Sequence, residues 1–381
     1  MPAYLDHNAT TSLEATALEA MLPYLREQFG NPSSVHRHGR RARAAIDAAR
    51  EQVAALVNAH PSQMIFTSGG TEANNLAIQG IAAKHRPGRI LIGATEHPSV
   101  VEAATSLSDR GWHIEHLPVD DQGRLRHDVL KEALQPVPAL VSVMTANNET
   151  GVVQDMTVIA AFVRDNGTLL HTDAVQAAGK IALDFSASGA HLMSLSAHKI
   201  GGPKGVGALI VDKAVDMKPL LHGGGQEKGR RSGTENVAAI VGFGAAATVV
   251  RERLAAYGLR LPRLRELLEA GLRGFHGIEI FAANAQRVPN TVCFGVHGMD
   301  GETLVLNLDR LGFAVSSGSA CASGSNEPSP VLLAMGVERE LARGSLRVSL
   351  GWNNTETDVE EFLRALGTVL ASREQRHAVN A

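Results

Sequence analysis

Short apolar runs and amphipathic helical stretches alternate through the first two-thirds of the chain, and no other feature limits its fold as much. Met64 to Thr67, Ile90 to Gly93, Ala139 to Met144, Leu169 to Asp173, Leu192 to Ser196 and Val206 to Val211 are the expected strands. Helical patterns lie between them, Thr71 to Ala83 among them. That order implies βαβ units and a mainly parallel sheet flanked by helices. In such sheets ligands sit beyond the carboxyl ends of the strands, so polar residues just after a strand carry most of the functional weight. After Tyr257 the pattern changes. A charged helical segment, Leu259 to Arg273, leads to a strand at Thr291 to Val296 and a helix at Gly301 to Leu311. Strands at Phe313 to Val315 and Ser345 to Leu350 and a last helix from Thr357 complete what reads as a smaller α+β domain. The expected division is a large domain over 13–256 and a small one over 257–381 joined by 1–12.

The 381 residues are 44% apolar and 20% charged, enough to build a large core and to exclude disorder as the main state. Two cysteines cannot build a disulfide framework or a Cys₄ zinc site. A formal charge of −3 supplies no strong field for nucleic acid or an anionic membrane. The longest apolar stretch, Ala238 to Val250, has 13 residues, against the ~20 needed to span a bilayer, and reads as a buried helix. Met1 to Thr11 carries Asp6 and His7 and no apolar signal core, so a cytoplasmic location with reduced thiols is expected.

Three segments carry candidate chemistry. In Thr67-Ser-Gly-Gly-Thr-Glu-Ala-Asn-Asn75 a strand ends, small residues turn the chain and a helix begins. Helix N-termini offer free N–H groups and a positive dipole end to a phosphate. Gly69 and Gly70 permit close backbone approach. The plainer reading is a glycine turn with Thr71 as N-cap. In His171-Thr-Asp-Ala-Val-Gln176, Asp173 ends an apolar strand, where a carboxylate needs a cationic partner, unless it serves only as a cap. In Ser194-Leu-Ser-Ala-His-Lys199, Lys199 follows a strand and precedes a glycine-rich turn. A desolvated lysine there can form a Schiff base, although a surface position is the commoner fate of one lysine. A phosphate cradle, an acid at a strand end and a lysine 26 residues later are together what pyridoxal phosphate requires. His97, in Ala94-Thr-Glu-His-Pro-Ser99, is placed to stack on its ring.

Ser316 to Ser329 holds six Ser, two Gly and two Ala around Cys321 and reads as a mobile loop with an accessible thiol. Cys293, in the alternating Thr291-Val-Cys-Phe-Gly-Val296, reads as inert core. His113 and His116 flank Glu115, and without a third ligand they do not read as a metal site. Arg37 to Arg50 reads as a solvated helix face.

These motifs, with Tyr4-Leu-Asp-His-Asn-Ala-Thr-Thr11, Phe29-Gly-Asn-Pro-Ser-Ser34, Ala146-Asn-Asn-Glu-Thr-Gly151, Gly223-Gly-Gly225, Arg231-Ser-Gly-Thr234, Ser317-Gly-Ser-Ala-Cys321 and Leu346-Arg-Val-Ser349, run almost end to end. In that order the chain resembles the NifS/IscS-type cysteine desulfurases of the class-V aminotransferase family. The resemblance implies pyridoxal-phosphate fold type I with a seven-stranded sheet. It implies that Lys199 holds the cofactor, Asp173 pairs with the ring nitrogen, Gln176 bonds the ring hydroxyl and His97 stacks on the ring and moves protons. Gly70, Thr71, Ser196 and His198 would bind the phosphate, and Thr234 the phosphate of the other subunit of a homodimer. Asn148 and Arg347 would hold the substrate, and Cys321, on the small-domain loop, would take sulfur from L-cysteine as a persulfide. Selenocysteine lysis or transamination is the nearest alternative reaction, and transamination needs no thiol. The sequence after Ser372 shows no counterpart of the tail that housekeeping desulfurases use to dock an iron–sulfur scaffold. The acceptor protein is left open among iron–sulfur cluster assembly, tRNA thiolation and DNA modification.

Overall fold

Seven strands form the central sheet, in the order Met64–Thr67, Gly207–Val211, Leu192–Ser196, Leu169–Asp173, Leu140–Ser142, Arg89–Gly93, His113–Leu117. The computed structural model describes residues 3–318 and 327–380. Gly207–Val211 runs antiparallel to both its neighbours, and the other pairings in this sheet are parallel. Apart from the edge strand His113–Leu117, the strands are almost wholly buried and mostly apolar, as a sheet covered on both faces demands. Alternation sorts their side chains. Ile90, Ile92, Leu140, Leu192 and Leu209 face one layer with the helices Gly70–Ala82 and Pro98–Thr105. Leu91, Val141, Leu170, Met193 and Ile210 face the other, with Arg37–Leu56, Met156–Asp165 and the first half of Val237–Arg273.

A four-stranded antiparallel sheet, Ser316–Ser317, Ser345–Ser349, Thr291–Val296 and Ile278–Ile280, builds a second core with Gly301–Arg310 and Glu356–Asn380. The chain's beginning joins this unit: Ala3–Tyr4 pairs in parallel with Phe313–Ala314, and Asp6 bridges Ser349.

Several sequence expectations change. The apolar stretch Ala238 to Val250 and the charged segment after it are one helix, Val237–Arg273, running unbroken through Tyr257. Its first half packs on the central sheet and its second half, through Leu261, Leu264 and Leu268, on the small sheet. The helix Gly70–Ala82 is capped by Gly69 and not by Thr71, which lies within its first turn. Ser316 and Ser317, expected in the loop, pair with Leu346 and Arg347. The basic helix is not wholly a solvated face. Arg50 makes a bidentate pair with Glu227 at 2.7 and 2.8 Å, and Glu227 also accepts from the Phe66 amide.

Candidate active site

Every parallel strand of the large sheet whose end carries a candidate residue delivers it to one cavity. That cavity holds about 320 Å³ at the carboxyl ends of the strands. Gly70, Thr71, His97, Asn148, Asp173, Gln176, Ser196, His198, Lys199 and Arg347 all line it. All but Arg347 come from the ends of the large sheet's strands or the connections after them, which the parallel arrangement brings together, and Arg347 reaches the cavity from Ser345–Ser349 of the small sheet.

Asp173 is the last residue of its strand and 6% exposed. Its carboxylate accepts from Asn74 Nδ2 at 2.7 Å and from the Val175 amide at 2.9 Å. Neither of these donors is charged, so the carboxylate does serve the following turn, and it favours the charged form of the nearby His97 against the effect of burial. Lys199 Nζ donates to the carbonyls of Asn8 and Ala9 at 2.5 and 2.7 Å. His97 caps the helix Pro98–Thr105, its Nδ1 accepting from the Ser99 amide at 3.1 Å. That bond assigns the ring proton to Nε2 when the ring is neutral. Burial holds His97 below its ordinary range, Asp173 opposing and Lys199 adding to the shift. His198 is pushed down to about 4 by burial and by Lys199 and Lys204.

Beside the N-terminus of Gly70–Ala82 the walls are close. A methyl group on Gly70 would stand 2.9 Å from Val175 Cγ2 and 3.6 Å from Ser196 Cβ. Small residues thus leave room at the end of a helix whose first N–H groups have no partners within it. A buried carboxylate, a lysine amine, an imidazole and a tight glycine turn at a helix N-terminus are together the donor set of pyridoxal phosphate, and the residues fit it.

Arg347, 2% exposed, stands in the middle of Ser345–Ser349. Its Nη2 donates to Asp6 Oδ1 at 2.7 Å and its Nη1 to the Asn148 carbonyl at 3.0 Å. Its Nε is buried and has no hydrogen-bond partner among the described residues. Thr234 is exposed and lies outside this cavity, on the segment that Arg231 ties to Glu72 at 2.8 Å. Cys321 lies outside the described residues. Cys293 is fully buried, and burial pushes its thiol well above the usual range. Glu115 pairs with Arg89 at 2.5 and 2.7 Å.

Sequence reasoning missed a second ring of buried polar groups. Asn8 lines the cavity and bonds Asn148, Thr291, Gln176 and Lys180. Asn74 fixes Asp173. Glu96 is fully buried, holds the Met144 amide at 2.6 Å and is raised well above the carboxylate range by burial. Glu149, beside Asn148, is raised to about 7 by burial and bonds Ser329. Asn8, Asn74, Glu96 and Glu149 all fall inside the motifs above, but nothing local in those motifs signals what they touch.

Residues 3–362 match the family Aminotransferase class-V. A cysteine desulfurase IscS of Clostridium botulinum is 41% identical over 98% of this chain and 95% of its own. A solved NifS-like protein superposes with a TM-score of 0.92 at 37% identity, covering 97% of this chain and all of that one. A structure described as SspA in complex with cysteine superposes with a TM-score of 0.81 at 31% identity, over 91% and 98% of the two chains.

Proposed function

The chain belongs to the class-V aminotransferase family, and we propose that within it the protein is a pyridoxal-phosphate-dependent cysteine desulfurase that turns L-cysteine into L-alanine and a persulfide on Cys321. The observation that carries this reading is the convergence of Lys199, Asp173, His97 and Arg347 on one cavity. When bound, pyridoxal phosphate supplies an electron-withdrawing ring that acidifies the Cα–H of an attached amino acid.

The chain's own residues do the rest. Lys199 would hold the cofactor through its aldehyde and would move the substrate's Cα proton on Nζ. Asp173, buried at the strand end, would hold the proton of the ring nitrogen, since a buried carboxylate favours a cation beside it. Gln176 donates to the ring oxygen. The first turn at Gly70 and Thr71, with Ser196 and His198, holds the phosphate. Burial, Lys199 and Lys204 lower His198 to about 4, and a hydrogen bond from its ring would serve the phosphate. His97 would stack on the ring and, when neutral, would hold a proton at Nε2, its Nδ1 being taken by the Ser99 amide. Arg347 presents a fixed fork to the substrate carboxylate, Asp6 and Asn148 having set its plane. The Cys321 thiolate attacks the substrate sulfur. An S–S bond forms as the Cβ–S bond breaks, and the carbon skeleton gains protons at Cβ and Cα to leave as alanine.

The division into 13–256 and 257–381 with 1–12 assigns the cofactor to the large domain and Arg347 and Cys321 to the small one. Thr234, exposed on its own chain, completes the phosphate site of a second copy in a homodimer. The sulfur passes to an acceptor protein, of iron–sulfur assembly or another carrier. Among the described residues no helix is long and apolar enough to cross a membrane, and the assigned location is cytoplasmic. Lys199→Ala tests the reading. It should lose both the visible absorbance of the bound cofactor and all alanine formation, and an unchanged spectrum would assign the cofactor to another amine.

A further inference from the structure

Lys180 is 7% exposed and takes no part in the chemistry above. It follows the strand Leu169–Asp173 in a run of turns where the amides of Ala177, Ala178 and Lys180 bond carbonyls three or four residues back. Gly179 adopts φ +73 there, and a Cβ on it would stand 2.4 Å from Val250 Cγ1. Only glycine allows the turn to press against the long helix at that point, and the next side chain is driven inward. Gln176 and Lys180, four residues apart, fall on the same side. Lys180 Nζ donates to Gln176 Oε1 and to Asn8 Oδ1, both at 2.6 Å. The charges that act on it, Lys199 and Arg347, are cationic, and burial, with Lys180 adding to it, lowers His7 to about 4.

An amine meets two carbonyl oxygens only by donating, and protonated or not it has at least two N–H groups to give. The contact therefore dictates which end of the Gln176 amide is which. With Oε1 taken by Lys180, Nε2 is left for the Asn8 carbonyl, at 2.9 Å, and for the cavity that Gln176 lines. The same amine fixes Asn8, whose Nδ2 then donates to the Asn148 carbonyl at 3.1 Å, the oxygen that also receives Arg347.

We propose that Lys180 is a positioning residue that locks the Gln176 amide with its N–H groups toward the cofactor's ring oxygen. This rests on the pyridoxal-phosphate reading above. Without Lys180 nothing pins Oε1 and only the Asn8 carbonyl still holds the amide, so a turned amide that presents its carbonyl to the oxyanion, losing a donor and gaining a repulsion, competes with the native one.

The experiment follows the visible absorbance of the bound cofactor with pH in the holoenzyme, Lys180→Met, Gln176→Leu and the double variant, with the cofactor dissociation constant measured alongside. Removing a donor from an oxyanion makes it hold its proton more tightly. Each single variant should raise the midpoint of the absorbance change by about one pH unit and weaken cofactor binding about tenfold. The double variant should shift no further than Gln176→Leu alone. If Lys180→Met does not fold, Lys180→Gln, which cannot dictate which way Gln176 turns, replaces it with the same expectation. An unmoved midpoint in the Lys180 variant, or additive shifts in the double variant, would overturn the positioning role. A wild-type protein with no visible band would instead overturn the cofactor reading.

Discussion

Arg347→Lys separates a guanidinium that recognises a carboxylate from one that merely packs. The side chain is 2% exposed and already gives one N–H to Asp6 Oδ1 at 2.7 Å and one to the Asn148 carbonyl at 3.0 Å, while Nε has no hydrogen-bond partner among the described residues. A lysine there keeps the charge but is a single point donor without the planar fork. It can satisfy Asp6 or the substrate carboxylate, not both in the same geometry. One charge-assisted hydrogen bond is worth about 1.5–3 kcal/mol, so KM for L-cysteine should rise about 10- to 150-fold. The cofactor contacts do not pass through Arg347, so kcat should change far less. Alanine formation measured against L-cysteine concentration gives both constants, and thermal melting checks that the fold survives. A KM unchanged within twofold in a folded Arg347→Lys protein would refute carboxylate recognition by this residue.

Two other outcomes follow from the site's groups. Glu149 is held at about 7 in the folded protein, above its usual range, so its contribution to stability is complete below about pH 4.5 and is lost as pH rises through 7. Glu149→Gln should remove a decline on the order of 3 kcal/mol between those limits, read as a flatter dependence of Tm on pH, and an unaltered slope would show that Glu149 titrates normally. Gly70→Ala puts a methyl 2.9 Å from Val175 Cγ2, so cofactor binding should weaken by about tenfold or more while secondary structure is kept, and wild-type affinity would disprove the tight cradle.

The parallel core was legible because burial on both faces leaves continuous apolar runs. Leu169–Asp173 and Leu192–Ser196 stand where the apolar pattern places them, and Lys199 and Asp173 were found because each follows such a run. The helix Ala15–Arg26 was not read, for it carries Pro23 and buries only Ala17 fully, which leaves little periodic signal. The long helix was cut at Tyr257 because its buried face changes partners there, from one sheet to the other, and the apolar stripe changes with it. Asn8, Asn74, Glu96, Glu149 and Lys180 were invisible for another reason. Their weight comes from burial against distant segments, as in the 2.6 Å bond from Lys180 to Asn8, which no local pattern encodes. Arg50, read as part of a solvated face, shows the same limit through its pair with Glu227.

The central claim, sulfur transfer to a thiol of this chain, is tested most directly by mass spectrometry of the holoenzyme after L-cysteine, wild type beside Cys321→Ser. The wild-type peptide containing Cys321 should gain the mass of one sulfur atom with one alanine released per persulfide formed, and a reductant should remove the gain. Cys321→Ser should retain the cofactor's visible band and still change it on adding L-cysteine, with no sulfur adduct and with alanine at background, because a serine hydroxyl near neutral pH is far less nucleophilic than a thiolate. Alanine and sulfide released by Cys321→Ser at the wild-type rate, or a sulfur adduct found on Cys293 and not on Cys321, would contradict the account.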